Sequence, residues 1–320
     1  MAKDDIHRSL KQVNPSQIKR NPANPRIIFR QEEMDKLMVS IHQHGIQVPL
    51  TVYQDDNNFI LIDGERRWRC AMKLNLKKIP ALVQSKPTEL ENLLLMSNIH
   101  ALREQWDYFT IALNIEKIIN LFESERDYVP NEIELAEESG LTRGQIRRCR
   151  LLLDMPSKFK NSLLEELKLP KSKQKLSEDF FIEMERSLKT VTKRIPKYEN
   201  NLNEIRDTLV TKYKANVIEA VTDFRQLSKI ATAIENLGLK AKQAEGALDK
   251  LFNPENKIGI REIYEKTVGF EYVERRVIQQ VDFLKDFFEE IIGDERIDEI
   301  DESLLDQIRG LHDILGQLLE

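Results

Sequence analysis

At 320 residues the chain is too long for one small core, and two or three domains are expected. Charged residues reach 32% with only 11 Gly and 11 Pro, which suits a helix-rich soluble protein and excludes collagen-like or low-complexity chains. No apolar run approaches the roughly 18 residues of a membrane span, and Met1–Asp5 has no apolar signal core, so a cytoplasmic protein is expected. The net charge of −5 is unevenly spread: residues 141–215 carry 18 Lys+Arg against 10 Asp+Glu, whereas residues 271–320 carry 5 against 15. An acidic total therefore does not exclude a nucleic-acid partner for the basic middle.

The first hundred residues alternate helix and strand signals and read as a small α+β domain. Met34, Leu37, Met38 and Ile41 keep helical spacing, and Gly45 stands where a C-terminal cap belongs. Leu50–Tyr53 and Phe59–Ile62 flank a polar turn and read as a hairpin. Ile79–Val83 is predicted to be an edge strand because of Pro80. Thr88-Glu-Leu-Glu91 is a capping box, and helical patterning runs on through Asn98 and Ile111–Phe122. Almost everything beyond reads as helix, punctuated by Pro130, Pro156, Pro170, Pro196 and Pro254, with residues 171–200 expected to be exposed and mobile.

The most informative stretch is Phe59-Ile-Leu-Ile-Asp-Gly-Glu-Arg-Arg-Trp-Arg69. A buried strand, an Asp63-Gly64 turn and a helix from Glu65 are predicted, with Trp68, Ala71 and Met72 on one face. Arg66, Arg67 and Arg69 then lie at the positive end of that helix. Each misplaced cation there costs roughly 0.3–1 kcal/mol, against the one favourable carboxylate of Glu65. A bound anion would account for them, most simply a phosphate received by a strand–Gly turn–helix N-terminus. The competing reading has the arginines turned outward and paired with local acids.

Residues 131–155, NEIELAEESGLTRGQIRRCRLLLDM, fit a helix-turn-helix. Ala136 allows close helix approach, Gly140 makes the tight turn and Ile146 plugs the second helix into the first. Thr142 is placed to cap that second helix, with Arg143, Gln145, Arg147 and Arg148 projecting from its first turns, where base edges and phosphates are reached. The alternative is a structural hairpin with a basic solvated face. Farther on, Val273, Val277, Val281, Leu284, Phe288 and Ile291, then Ile297 to Leu318 at similar spacing, predict two amphipathic helices with an acidic outer face. The five histidines show no ligand spacing, and Cys70 and Cys149 form no C-x-x-C pattern and read as reduced thiols.

Asp63-Gly-Glu-Arg-Arg-Trp-Arg69 resembles the G-E-R-R box of ParB-type partition proteins. Asn24-Pro25-Arg26, Gly45–Leu50, Ile79–Val83, the segment around Asn98-Ile99-His100 and Arg150–Pro156 continue the resemblance in order over about residues 10–165. It implies a ParB/sulfiredoxin-like α+β domain over 1–100, a mostly α-helical DNA-binding domain over 101–215 with the helix-turn-helix at 131–155, and a helical domain over 216–320 that dimerises. It further implies a CTP-like nucleoside triphosphate switch closing a clamp on double-stranded DNA in plasmid or chromosome segregation, in the cytoplasm at the nucleoid. Gly64 would offer backbone to the phosphates, Arg66 and Arg67 would contact them, and Glu65 and Asn98 would hold Mg²⁺ or phosphate, with Arg103 beside them.

A ParA-type ATPase would meet a basic, flexible N-terminal segment, here Met1–Arg20. Ser97 stands where the family carries Glu, which points to binding with slow CTPase-like turnover or none. Gln47-Val48-Pro49 replaces the usual Gln-Pro. The other readings are a sequence-specific regulator or mobile-element or defence component built from the same modules, and a nucleotide-hydrolysing or nuclease enzyme. Sulfiredoxin-type chemistry would need Cys70 beside the phosphate site.

Overall fold

The computed structural model describes residues 8–101 and 106–319. Residues 1–7 of the basic N-terminal segment, and Arg103, lie outside them. From Ser9 onward that segment is not a flexible arm: β1 (Ser9–Val13) and β2 (Ile18–Lys19) are built into the sheet. α1 (Gln31–His44) follows and is closed by Gly45, whose left-handed backbone donates its N–H to the Ile41 carbonyl. β3 (Leu50–Asp55) and β4 (Asn58–Asp63) form the predicted hairpin around a two-residue turn with Asp56 in the left-handed region. α2 (Glu65–Lys73) and β5 (Ile79–Gln84) complete the domain, whose sheet order is β1-β5-β3-β4-β2.

β5 is therefore an interior strand, contrary to expectation. Pro80 is tolerated because it is the second residue of β5 and pairing with β3 begins only at Ala81, so its missing N–H lies outside that ladder. Trp68 and Ala71 of α2 pack on the sheet as expected, but Met72 is 43% exposed.

The rest is helical. α3 (Glu89–Ala101) starts from the capping box, with Thr88 and Glu91 exchanging backbone and side-chain hydrogen bonds. α4 (Tyr108–Arg126), α5 (Glu132–Ser139), α6 (Arg143–Leu153) and α7 (Ser157–Lys168) come next. α8 (Glu178–Arg194) occupies the segment expected to be exposed. Phe180, Phe181, Ile182, Met184, Leu188 and Val191 are buried there, so α8 is the central helix of the core. Its lysine-rich approach hides an amphipathic pattern that only packing against α9 (Leu202–Lys214) and α10 (Phe224–Asn236) reveals. The Phe180 ring lies edge-on to Phe224 at 5.4 Å, and one hydrophobic core takes in residues from Leu90 to Val268 together with Ile28 and Ile62 of the α+β domain.

α11 (Ala241–Phe252) and α12 (Ile260–Tyr264) close this core, and α12 passes through a π-turn at Glu265–Gly269 into α13 (Phe270–Gly293), followed by α14 (Glu302–Leu319). No described helix is long and apolar enough to cross a membrane.

Glu178, the first residue of α8, joins this core to α4 by accepting the Phe109 N–H at 2.6 Å. Burial, with Asp107 and Asp179 nearby, pushes its carboxyl up to about 7. A carboxyl raised on folding contributes stability that is lost as pH rises from the ordinary carboxylate range through 7. Glu178→Gln keeps the acceptor and removes the titration. Its thermal midpoint should match the parent near pH 4.5 and exceed it at pH 8, by up to about 3 kcal/mol of stability. Equal midpoints at pH 8 would contradict this.

Candidate functional site

The strand–turn–helix at 59–69 forms as predicted. Gly64 joins β4 to α2 with φ 101°, and a Cβ there would lie 2.8 Å from Leu50 Cγ, so the backbone approaches the sheet as only glycine can. The N-terminal amides of α2 open into a cavity of about 300 Å³ lined by Asn24, Arg26, Gly64, Glu65, Arg66 and Arg67, among others, with Trp106 at its wall. That volume is at the small end for ligand pockets.

The arginines of the box are held by several partners. Arg66 reaches back to α1, pairing with the Glu33 carboxylate at 3.3 Å and donating to its carbonyl at 3.2 Å. Arg67 pairs with Asp63 at 2.6 Å and donates to the carbonyls of Val48 and Pro49, tying the altered Gln47-Val48-Pro49 loop to the helix. Arg69 pairs with Glu65 and stacks 3.8 Å over the Phe29 ring. Local acids thus account for much of the arginine cluster, in line with the competing reading.

One cation is not accounted for that way. Arg26 donates to the Ile28 carbonyl at 3.3 Å and, among the described residues, has no carboxylate within 4 Å. Burial and the charge of Arg66 lower its pKa from the ordinary guanidinium value. An anion in the cavity would relieve both effects. Asn24-Pro25-Arg26 belongs to the resembling segments, but the sequence assigns Arg26 no role and does not show that Arg20 and Asn24 bind the Glu65 carboxylate, as they do at 3.1 and 2.7 Å. The one local signal is Asn24-Pro25, an extended dipeptide that aims the next side chain.

Two expected ligands do not converge here. Glu65 is buried, with one oxygen on Arg20 and Arg69 and the other on Asn24, so its carboxylate is spent on cations and an amide. Asn98 lies elsewhere. Its amide donates to the carbonyls of Leu94 and Glu138 at 3.0 and 3.1 Å, and its Oδ1 sits where a Gly140 Cβ would be. Among the described residues no group of three His, Cys, Asp or Glu could hold a metal ion. The Glu65–Asn98 pair does not fit Mg²⁺ in this arrangement.

Ser97 and Asn98 instead clasp the helix-turn-helix. The Ser97 hydroxyl, buried, donates to the Ser139 carbonyl at 3.1 Å. Gly140 turns between α5 and α6 with φ 71°, Ala136 packs on the core and Ile146 is fully buried, as the spacing required. Thr142 caps α6 through a reciprocal box with Gln145. That box engages the Gln145 Oε1, which accepts from the Thr142 backbone N–H at 2.8 Å. Arg143 and Arg147 stay exposed and share Glu132 at 2.8 and 3.0 Å, whereas Arg148 turns inward to Asp179 and lies 4.5 Å over the Tyr108 ring.

The thiols take no part in this site. Cys70 is buried against the Met34 carbonyl and burial raises its pKa; burial pushes Cys149 up to about 12. Neither is a thiolate nucleophile at neutral pH.

Fold and site together define a small α+β domain with a cavity lined by glycine and arginines, followed by a helix-turn-helix. Residues 1–99 match the family model of the ParB N-terminal domain, and the helix-turn-helix follows that region in the chain. A nucleoid occlusion protein of Bacillus mycoides is 25% identical over 267 residues, covering 79% of this chain and 88% of the relative. One of Bacillus cereus is 29% identical over 163 residues, so the chain matches about half the length of that relative, 53%. The truncated chromosome-partitioning protein ParB of Caulobacter crescentus, solved with CTP-γ-S, is 23% identical over 49% of this chain and 85% of that one, with a TM-score of 0.29.

Proposed function

We propose that the chain is a DNA-binding protein of the partition and nucleoid-occlusion type, acting on double-stranded DNA through α6 and carrying a nucleoside triphosphate in the N-terminal cradle. The observation that carries this reading is the position of α3 between the two sites. It packs against β4, the strand that leads into Gly64, and at its other end Ser97 and Asn98 are hydrogen-bonded to the end of α5, at the turn that sets α6. A change of α3 conformation on filling the cradle would move the recognition helix, which is what a nucleotide-switched DNA binder requires. Gly64 and the first amides of α2 would receive phosphate, with Arg26, Arg66 and Arg67 supplying charge. CTP is the first nucleotide to test because of the family resemblance. The buried Ser97 supports binding without rapid hydrolysis.

Calorimetric titration with CTP, ATP and GTP, with and without Mg²⁺ and duplex DNA, tests the reading. Saturable binding of one nucleotide, with an affinity changed by DNA, is expected. Absence of binding to all three removes the switch, and absence of DNA binding removes the reading.

Self-association through the C-terminal helices belongs to the same proposal. Among the described residues of α13 and α14 the only buried one is Ile291, while Val273, Val277 and Val281 on the first helix and Leu311, Leu315 and Leu318 on the second are exposed. A four-helix bundle formed with a second copy would cover both stripes. Val277→Glu with Leu315→Glu should halve the mass measured by light scattering without lowering helix content. An unchanged dimer mass would refute it, and a monomeric parent would do so at once. Stimulation of a ParA-type ATPase is also part of this reading, to be tested directly on such an enzyme.

A further inference from the structure

We infer that a basic stripe running from the recognition helix across α8, α10 and α13 is a second docking surface for the DNA backbone. The inference rests on the DNA-binding reading above and extends its footprint beyond the helix-turn-helix. Asp179, Glu183, Arg186, Thr190 and Arg194 recur on α8 at spacings of four, three, four and four, so they share one face. Asp179 holds Arg148 of α6, so this face begins at the DNA-reading helix. It ends at Arg194, about 22 Å farther along at 1.5 Å per residue.

Two concavities continue the stripe. A groove of about 460 Å³ between α8 and α10 is lined by Arg186, Arg194 and Arg225. A notch of about 270 Å³ between α10 and α13 is lined by Lys229, Arg275 and Arg276. Thr232 lines the groove, and its hydroxyl meets the Tyr272 hydroxyl at 3.2 Å, so the two concavities adjoin through a shared wall.

The charges are answered by carboxylates along the groove and left unanswered at its far end. Glu183 answers Arg186 and Arg225, and Glu235 answers Arg194. At the far end Arg275 caps the Asn236 carbonyl, and neither Lys229 nor Arg275 nor Arg276 has a carboxylate within 4 Å among the described residues. The Lys229 ammonium is instead held 5.6 and 5.5 Å from the Tyr264 and Tyr272 ring centres. Those rings stack on each other at 6.1 Å. Tyr264 is only 7% exposed, so its ring orients a cation and offers no open face for a base. A surface with exposed cations and no stacking platform suits backbone phosphates and not a nucleotide or an unpaired strand. The α8 face alone spans about two-thirds of a 34–36 Å duplex turn, within reach of the flank of any site that α6 engages.

The test compares the full chain with its Lys229→Ala/Arg275→Ala/Arg276→Ala and Arg143→Ala/Arg147→Ala variants on a labelled duplex of mixed sequence, about four helical turns long, over a series of NaCl concentrations. Removing one phosphate interaction lowers the slope of log K against log salt by about 0.9, so the triple variant should shed roughly 2–3 from the slope. The charge-retaining Lys229→Arg/Arg275→Lys/Arg276→Lys variant should restore it, which a purely structural role would not predict. If the parent does not bind DNA, the DNA reading itself falls. If the parent binds and the alanine triple variant keeps its slope, or changes only its oligomeric mass or its binding to anionic phosphatidylglycerol vesicles, this inference alone is overturned.

Discussion

Replacing Arg143 and Arg147 together by alanine is expected to weaken binding to the preferred DNA site by roughly a hundredfold or more while leaving the fold intact. Both side chains are more than half exposed, and in the free protein both point to Glu132. Their removal therefore opens no cavity and strands only one surface carboxylate. If α6 reads DNA as proposed, the same guanidiniums face base edges or phosphates there, where a well-placed arginine contributes about tenfold to a hundredfold. The measurement is a binding isotherm on a selected site and on mixed-sequence duplex at one salt concentration. Disappearance of the difference between the two, with an unchanged thermal midpoint, supports α6 as the reader. Retained discrimination would assign the reading to another element. Glu132→Gln should act in the opposite direction and tighten binding, because it frees both arginines before DNA arrives.

Gly64→Ala is the second large effect, and it strikes both stability and nucleotide binding. The residue sits at φ 101°, and the new Cβ would lie 2.8 Å from Leu50 Cγ, a side chain with no exposed surface that cannot yield without disturbing the sheet. Backbone strain of about 1–2 kcal/mol and overpacking of about 1–3 kcal/mol act together. With an unfolding entropy of roughly 2.1 cal/mol/K per residue, each kcal/mol lowers the midpoint of a chain this long by about 1.5 °C, so a fall of about 3–7 °C is expected. The same shift moves the α2 amides away from the cavity, and nucleotide affinity should drop by more than about tenfold. Arg26→Ala separates the two consequences. It should weaken nucleotide binding to a similar degree while leaving the midpoint nearly unchanged, since Arg26 holds a carbonyl and, among the described residues, no carboxylate. A parent-like affinity in both variants would refute the cradle as the phosphate site.

Local chemistry was legible wherever the chain alone decides it. The hairpin at 50–63, the Gly45 cap, the Thr88 capping box, the left-handed Gly64 and Gly140 and the Thr142 cap are settled by residues within a few positions of one another. Such signals do not depend on what packs above them. The site was half legible for the same reason. Gly64 and the first turn of α2 are local, whereas the partners of the arginines come from elsewhere: Glu33 from α1 and the Val48 and Pro49 carbonyls from the next loop. An arginine box in a sequence does not state which of its charges are already answered. Arg26, the cation left over, is identified only after those pairings are known.

Asn98 and α8 show the limit most clearly. Asn98 matched a motif, yet its amide completes the end of α5, because buried carbonyls take whatever donor the fold brings near. α8 read as exposed because its approach is rich in lysine and serine, yet six of its apolar residues form the centre of the helical core. By itself the sequence determined the α+β domain, the strand–glycine–helix cradle and the capped, arginine-bearing α6. Each rests on backbone preferences and short-range hydrogen bonds written into neighbouring residues. Tertiary structure alone decided that Ser97 and Asn98 are bonded to the turn that sets α6, that Arg26 is the cradle cation without a carboxylate among the described residues, and that cations from three helices line one stripe. Those facts depend on which distant residues share a surface, and burial and electrostatics set that only once the chain has folded.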